Sequence, residues 1–169
     1  MAQHALSALA AHPGDTAATL AELRARAEIT DALYRFALGQ DLKDAELFAS
    51  AFTPDAELDF RPAAARWGAE PPLMVGRDFI VSTILGMFAG RVDTTHQVTN
   101  PRIRIEGDTA QLTALVEAQH LLTADPTVHA LLKNPYEVEL HRDGARWLIH
   151  RLRIRNTWYT GDPTAIFGG

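Results

Sequence analysis

The chain changes its hydrophobic period once. Up to about residue 90, apolar side chains return at helical intervals; beyond that point they alternate. Between Glu22 and Leu42, the residues Leu23, Ala27, Leu33, Ala37 and Asp41 fall on one stripe, at spacings that sum to helical turns. Asp15 or Thr16 can cap this helix, which is predicted over residues 17–40. Asp44 is placed to cap a second, short helix over 45–52, stopped by Thr53-Pro54. A strand-like stretch, 56–60, and an irregular Pro- and Ala-rich segment, 61–72, come next. Gly76-Arg77-Asp78 opens a third helix, with Phe79, Ile80, Ile84, Met87 and Phe88 as its apolar face and Gly90 as its C-cap.

The second half reads as strands. Residues 92–105 form one, and Gly107-Asp108 turns the chain. Residues 110–122 form the next, with Ala110, Leu112, Ala114, Val116, Ala118, His120 and Leu122 on one face. Residues 125–135 are predicted as a loop. Strands over 136–141 and 146–158 flank Asp143-Gly144, a strong hairpin signal. Three helices with one inserted strand, then a four-stranded antiparallel meander, make an α+β fold. Such a sheet must curl around the helices to bury one face, and the concave space between them is the natural pocket.

Length and composition narrow the function classes. The 169 residues suit one domain, predicted over 20–162, with an N-terminal arm at 1–19 and a tail at 163–169. The net charge of −5 leaves no cationic surplus for nucleic acid. The absence of cysteine excludes disulfides, thiolate nucleophiles and zinc–thiolate sites. No His-x-x-x-His helix spacing, no Gly-rich phosphate loop and no Gly-x-Ser-x-Gly elbow occurs, so neither a metal nor a nucleotide cofactor is expected. No apolar run is long enough to span a membrane, and residues 1–19 do not read as a signal peptide, so a cytoplasmic protein is expected.

Two residues carry the chemistry. Asp41 ends a core-facing stripe, where a carboxylate is costly unless paired. His96 lies in the polar run Asp93-Thr94-Thr95-His96-Gln97-Val98-Thr99-Asn100, with Thr94, Val98 and Asn100 on its side of the strand. A carboxylate bonded to one imidazole nitrogen would fix the tautomer and raise the basicity of the other, the arrangement of a general base. The plain alternatives are a solvated helix end for Asp41 and a hydrogen-bonded sheet residue for His96. His120, between Ala118 and Leu122, reads from its neighbours as a packed core histidine. Asp44 and Asp55 read as a helix cap and a turn residue.

The order of Ile29-Thr30-Asp31-Ala32-Leu33-Tyr34 through Asp41, Phe52-Thr53-Pro54-Asp55-Ala56, Gly76-Arg77-Asp78-Phe79-Ile80, Thr95-His96 through Asn100, and 147–161 resembles the nuclear-transport-factor-2-like superfamily of cone-shaped α+β barrels. It is similar in particular to the SnoaL-like branch that holds scytalone dehydratase and hexachlorocyclohexane dehydrochlorinase. The resemblance implies a cone in which three N-terminal helices pack in a curved, mostly antiparallel sheet. It also implies that Asp41 pairs with His96, that His96 is the base, and that His120 is a second pocket histidine acting as an acid or as a polariser of a substrate oxygen. The chain departs from the pattern at Phe36, where the dehydrochlorinase has a lysine. It departs again at Gln40, where the dehydratase has a tyrosine.

The expected function is therefore a cofactor-independent acid/base enzyme on a small apolar substrate, most simply an elimination. An isomerase or polyketide cyclase using the same pair, and a non-catalytic ligand-binding or dimerising module, are the alternatives. Tyr34, Phe36, Phe60, Phe88, Asn100, Tyr136 and Trp158 are candidate pocket lining, with core packing as the competing role for the aromatic rings. Arg151, Arg153 and Arg155 share a predicted strand face with Trp147 and Ile149 and read as a solvated or subunit-facing edge. Arg155 and Asn156 are candidates for the pocket mouth. Trp147, Ile149 and Leu115 on the convex face point to a homodimer or homotrimer.

Overall fold

The computed structural model describes residues 14–168, so most of the expected N-terminal arm lies outside the described residues. Helix α1 (Thr16–Leu42) starts at Asp15, whose carboxylate accepts the Ala18 N–H at 2.9 Å. Its buried face is Ile29, Ala32, Leu33, Phe36, Ala37 and Gln40. Leu23 and Ala27, expected on the core stripe, are exposed. The helix is apolar on both sides: Leu20, Leu23, Tyr34, Leu38 and Leu42 all face outward. Periodicity therefore revealed the helix but did not identify its inner face.

Helix α2 (Ala45–Ala49) is capped by Asp44, which accepts the Leu47 N–H at 2.9 Å. It ends earlier than expected because Phe52 opens strand β1 (Phe52–Asp59). The segment expected to be irregular holds a short helix, α3 (Arg61–Ala64), and a 3₁₀ turn over Ala65–Trp67. Then come β2 (Met74–Val75), α4 (Arg77–Phe88), β3 (Val92–Glu106), β4 (Thr109–Leu122), β5 (Asp125–Asp143), β6 (Arg146–Ile154), β7 (Trp158–Gly161) and α5 (Pro163–Phe167).

The strands form one curved, unclosed sheet in the order β2-β1-β6-β5-β4-β3, with β7 added to β5. All pairings are antiparallel except that of β1 with β6. The expected α+β architecture is present, and the strands β3 to β6 form the expected meander. Residues 125–135, expected as a loop, are instead the first half of β5. Ala130–Lys133 pair with β7 and Tyr136–Asp143 with β6, so Pro135 falls where β5 changes partner and its missing N–H breaks no ladder.

Two bulges move side chains to the opposite face from strict alternation. Between Thr99 and Arg102 the β3 register shifts, Asn100 takes a positive φ of 53°, and its side chain is exposed. In β6, Ile149 pairs with Leu140 and Arg151 with Glu139, so His150 is the extra residue. Trp147 and Ile149 therefore point into the core, while Arg151, Arg153 and Arg155 point out to Glu57, Glu139, Asp59 and Glu137. The convex face loses two of the three apolar residues that suggested an oligomer, and Leu115 alone stays exposed.

The core is built from the inner face of α1, from Phe48 and Phe52, and from the inward residues of β4, β5 and β6. Full burial of each such side chain contributes about 1.5–3 kcal/mol. The expected tail is part of this domain. Asp162 caps α5 through the Ala165 N–H at 3.1 Å, and Ile166 is fully buried. The Arg91 guanidinium donates to the Ile166 and Ala165 carbonyls at 2.7 and 2.8 Å, which supplies acceptors at the open end of the helix.

Helices α1 and α2 touch at Gly39. A Cβ there would lie 2.5 Å from the Phe48 backbone nitrogen. Gly39→Ala is predicted to destabilise the fold by about 1–3 kcal/mol through overpacking. Gly86, also helical but with open space around it, provides the control: Gly86→Ala is predicted to stabilise by about 0.4–1 kcal/mol. Thermal unfolding followed by circular dichroism checks the opposite signs. Melting shifts of the same sign would contradict the packing account.

Candidate active site

Asp41 sits in the last turn of α1, where the helix end meets β3. On β3, Thr94 and His96 both point inward, and the His96 side chain is only 4% exposed. Three donors converge on the one carboxylate. The His96 backbone N–H reaches Oδ2 at 2.8 Å, and the Thr94 hydroxyl and the His96 Nδ1 reach Oδ1 at 2.8 and 2.7 Å. Burial by itself would raise the Asp41 carboxyl. The hydrogen bond and charge of His96, the His96 backbone and the Thr94 hydroxyl outweigh that and hold it below its ordinary value. An ionised Asp41 requires a proton on His96 Nδ1, so in the neutral imidazole the lone pair lies on Nε2.

His120 faces His96 from β4. Their ring centroids lie 5.5 Å apart at 85°, because Ala118 pairs with His96 and His120 with Thr94 in the antiparallel register. Phe88 and Phe167 pack against the His120 ring at 5.5 and 4.9 Å. Burial first, and then the neighbouring His96, push its pKa down to about 3, against the pull of the Ala130 and Ala118 carbonyls. His120 is therefore neutral at ordinary pH. Its Nδ1 is buried without a protein partner.

Both histidines open onto a cavity of about 320 Å³ between the sheet, α1, α4 and α5. Phe36, Phe60, Phe88 and Tyr136 line it. Burial, and then the Asp41 charge, raise the Tyr136 hydroxyl, so it stays protonated. Asn134 also lines the cavity, and its Oδ1 accepts from Asn156 Nδ2 at 3.0 Å. Asn156 thus supports the wall from behind, whereas Arg155 is exposed and pairs with Glu137.

Three expected lining residues lie elsewhere. Tyr34 is 49% exposed on the outer face of α1, two residues before the inward-facing Phe36. Trp158 is 46% exposed, with the Lys133 ammonium 5.7 Å above its ring. Asn100 is turned out by the β3 bulge. In their place the cavity takes Gln40, Trp67, Met74, Met87 and Phe167. Phe167 stacks on Trp67 at 5.7 Å and 21°, and both rings come from segments that showed no regular period in the sequence. A lone tryptophan in a run of alanines and a phenylalanine close to the C-terminus were the available signals. Among the described residues, no lysine or arginine lines the cavity, and Glu70 is the one carboxylate side chain there. Among the described residues, no group of three or more His, Asp or Glu side chains is placed to hold a metal ion.

The chain belongs to the SnoaL-like domain family, which it matches over residues 21–153, within the nuclear-transport-factor-2-like superfamily. It is 35% identical over 150 residues to terrestric acid biosynthesis cluster protein E of Penicillium crustosum, across 85% of this chain and 89% of that protein. Two solved structures are similar in fold. One, from Kribbella flavida, superposes with a TM-score of 0.75 at 22% identity, over 88% of this chain and 99% of that one. The other, a type-3 hexachlorocyclohexane dehydrochlorinase from Novosphingobium barchaimii, gives 0.69 at 22% identity, over 85% and 94%. Among the described residues, no helix is long and apolar enough to cross a membrane.

The state of His120 has a consequence for stability. In the folded chain it takes up no proton until about pH 3, whereas an unfolded histidine does so near pH 6.5. As pH falls, the unfolded chain binds the proton first, so stability is predicted to drop through the window from 6.5 to about 3. The slope from this one group is at most about 1.4 kcal/mol per pH unit. The depressed Asp41 adds its own loss only at the more acid end. Urea denaturation between pH 7 and 4.5 is predicted to show a flatter profile for His120→Gln than for wild type. Parallel profiles would contradict a buried, neutral His120.

Proposed function

We propose that this SnoaL-like protein is a cofactor-independent acid/base enzyme in which His96, oriented by Asp41, takes a proton from carbon in a small, uncharged, cyclic or polyketide-like substrate. The observation that carries this reading is the three-donor clasp on Asp41. It favours the carboxylate anion and a proton on His96 Nδ1, which supports Nε2 of the neutral ring as the acceptor beside the cavity. Proximity and an acceptor of suitable basicity are what proton abstraction needs.

The reaction read here is an elimination of the dehydratase or dehydrohalogenase type. The C–H electron pair becomes the new double bond, the proton moves to His96 Nε2, and a leaving group departs from the neighbouring carbon. The likeness in fold to a dehydrochlorinase supports elimination over isomerisation or cyclisation, which would use the same first step. His120 takes part as a neutral imidazole. At physiological pH it carries no cationic proton to give, so its role is to hydrogen-bond and polarise a substrate oxygen. The aromatic and methionine walls accept a flat apolar frame, and the space between them favours a ligand pocket over a scaffold filled by its own side chains.

Two outcomes follow from this reading. On neutral cyclic β-hydroxy or β-halo ketones, His96→Ala is expected to lower kcat/KM by about 10² to 10⁴, read by the absorbance of the conjugated product. Unchanged turnover in a folded variant would remove His96 from the chemistry. In calorimetric titrations, neutral ketones are expected to bind about tenfold or more tightly than carboxylate analogues of the same frame, because no cavity cation compensates a buried anion. Equal affinity for both would contradict an uncharged substrate.

A further inference from the structure

Lys43 ends α1 in the left-handed conformation, with φ 58° and ψ 32°. Glycine or asparagine usually occupies such a position, because a Cβ there crowds the backbone. The backbone part of the cap, an N–H donated to the Gln40 and Gly39 carbonyls, could come from any residue but proline. The lysine side chain supplies something else. Its Nζ folds back to the Gln40 carbonyl at 3.1 Å and the Thr94 hydroxyl at 3.2 Å, and sits 5.7 Å above the ring of Phe88, a cavity wall.

An ammonium can only donate hydrogen bonds. Thr94 Oγ1 must therefore accept from Lys43, and its own proton is directed to Asp41 Oδ1, 2.8 Å away. The chain of bonds then runs one way, from Lys43 to Thr94 to Asp41, where the His96 Nδ1–H arrives from the other side at 2.7 Å. The other titratable groups around the pair are Asp93 on β3, His120 on β4 and Tyr136 on β5. Asp93 is exposed, His120 is neutral and Tyr136 is protonated. Arg91, just before β3, is occupied by the α5 carbonyls. Lys43 provides the positive charge within this group, where partial burial limits screening by solvent.

We propose that Lys43 is a positioning residue of the site: acting through Thr94, its ammonium keeps Asp41 ionised and aimed at His96, and disfavours the protonated form of His96. The consequence for turnover rests on reading His96 as the base, whereas the electrostatic relation does not depend on it. A lysine held in a glycine-like backbone conformation is then a local strain kept for its side chain rather than for the cap.

Imidazole NMR titrations of wild type, Lys43→Met, Lys43→Gly, Lys43→Arg and Asp41→Asn test this directly. Loss of the cation in Lys43→Met is expected to move the His96 midpoint up by about half a pH unit to one pH unit, with Lys43→Arg close to wild type. Lys43→Gly relieves the backbone, so it is expected to melt at or above the wild-type temperature while showing the same upward shift. A merely structural cap would leave the His96 midpoint unmoved in Lys43→Gly. If Asp41→Asn lowers the midpoint but neither Lys43→Met nor Lys43→Gly moves it, the proposal for Lys43 is overturned and the Asp41–His96 reading stands. If Asp41→Asn also leaves the midpoint in place, the pair is uncoupled and both readings fail.

Discussion

A carboxylate removed from bulk water has to be surrounded by donors, and this fold meets that constraint for Asp41 at the junction of one helix and one strand. The helix end supplies the anion. Strand β3 supplies a backbone N–H, a hydroxyl and an imidazole, which reach it within 2.7–2.8 Å. The requirement sets the angle between α1 and the sheet, because all three donors come from residues 94–96 of a single strand. The close approach of α2 at Gly39 and the ties of Arg35 to the Ser50 and Trp147 carbonyls hold the rest of α1 in that position.

The same arrangement divides two histidines into different chemical states. His96 has an anion on one nitrogen and the cavity beside the other. His120, a ring's width away, feels only a small pull from the Asp41 charge, so burial keeps it neutral. On the proposed reading, the division makes one imidazole the proton acceptor and the other a hydrogen-bonding group for oxygen. The apolar walls, with no lysine or arginine among the described lining residues, suit the uncharged frame of that reading.

The parts legible in the sequence were those set by local pattern: the first and third long helices, the meander after residue 92, the hairpin at Asp143-Gly144, and Asp15 and Asp44 as caps. Asp41 and His96 stood out as a costly carboxylate and a histidine in a polar run, and the family resemblance joined them. The misplaced residues have specific causes. Tyr34 failed because α1 is apolar on both faces and period alone does not choose the inner one. Asn100, Trp147 and Ile149 failed because a bulge shifts an alternation by one residue, and nothing in the local sequence announces it. Trp67 and Phe167 reach the cavity through tertiary closure of the 3₁₀ turn after α3 and of α5, which no single segment encodes. Pro135 read as a loop signal, yet it lies where a strand exchanges neighbours.

The central claim, that His96 takes a proton from carbon, can be tested without knowing the natural substrate. A cyclic ketone shown to bind the cavity would be incubated with the protein in D₂O and followed by proton NMR. The account predicts deuterium uptake at the carbon next to the carbonyl with wild type and its loss with His96→Ala. No uptake by the wild-type protein, or equal uptake by the variant, would contradict it.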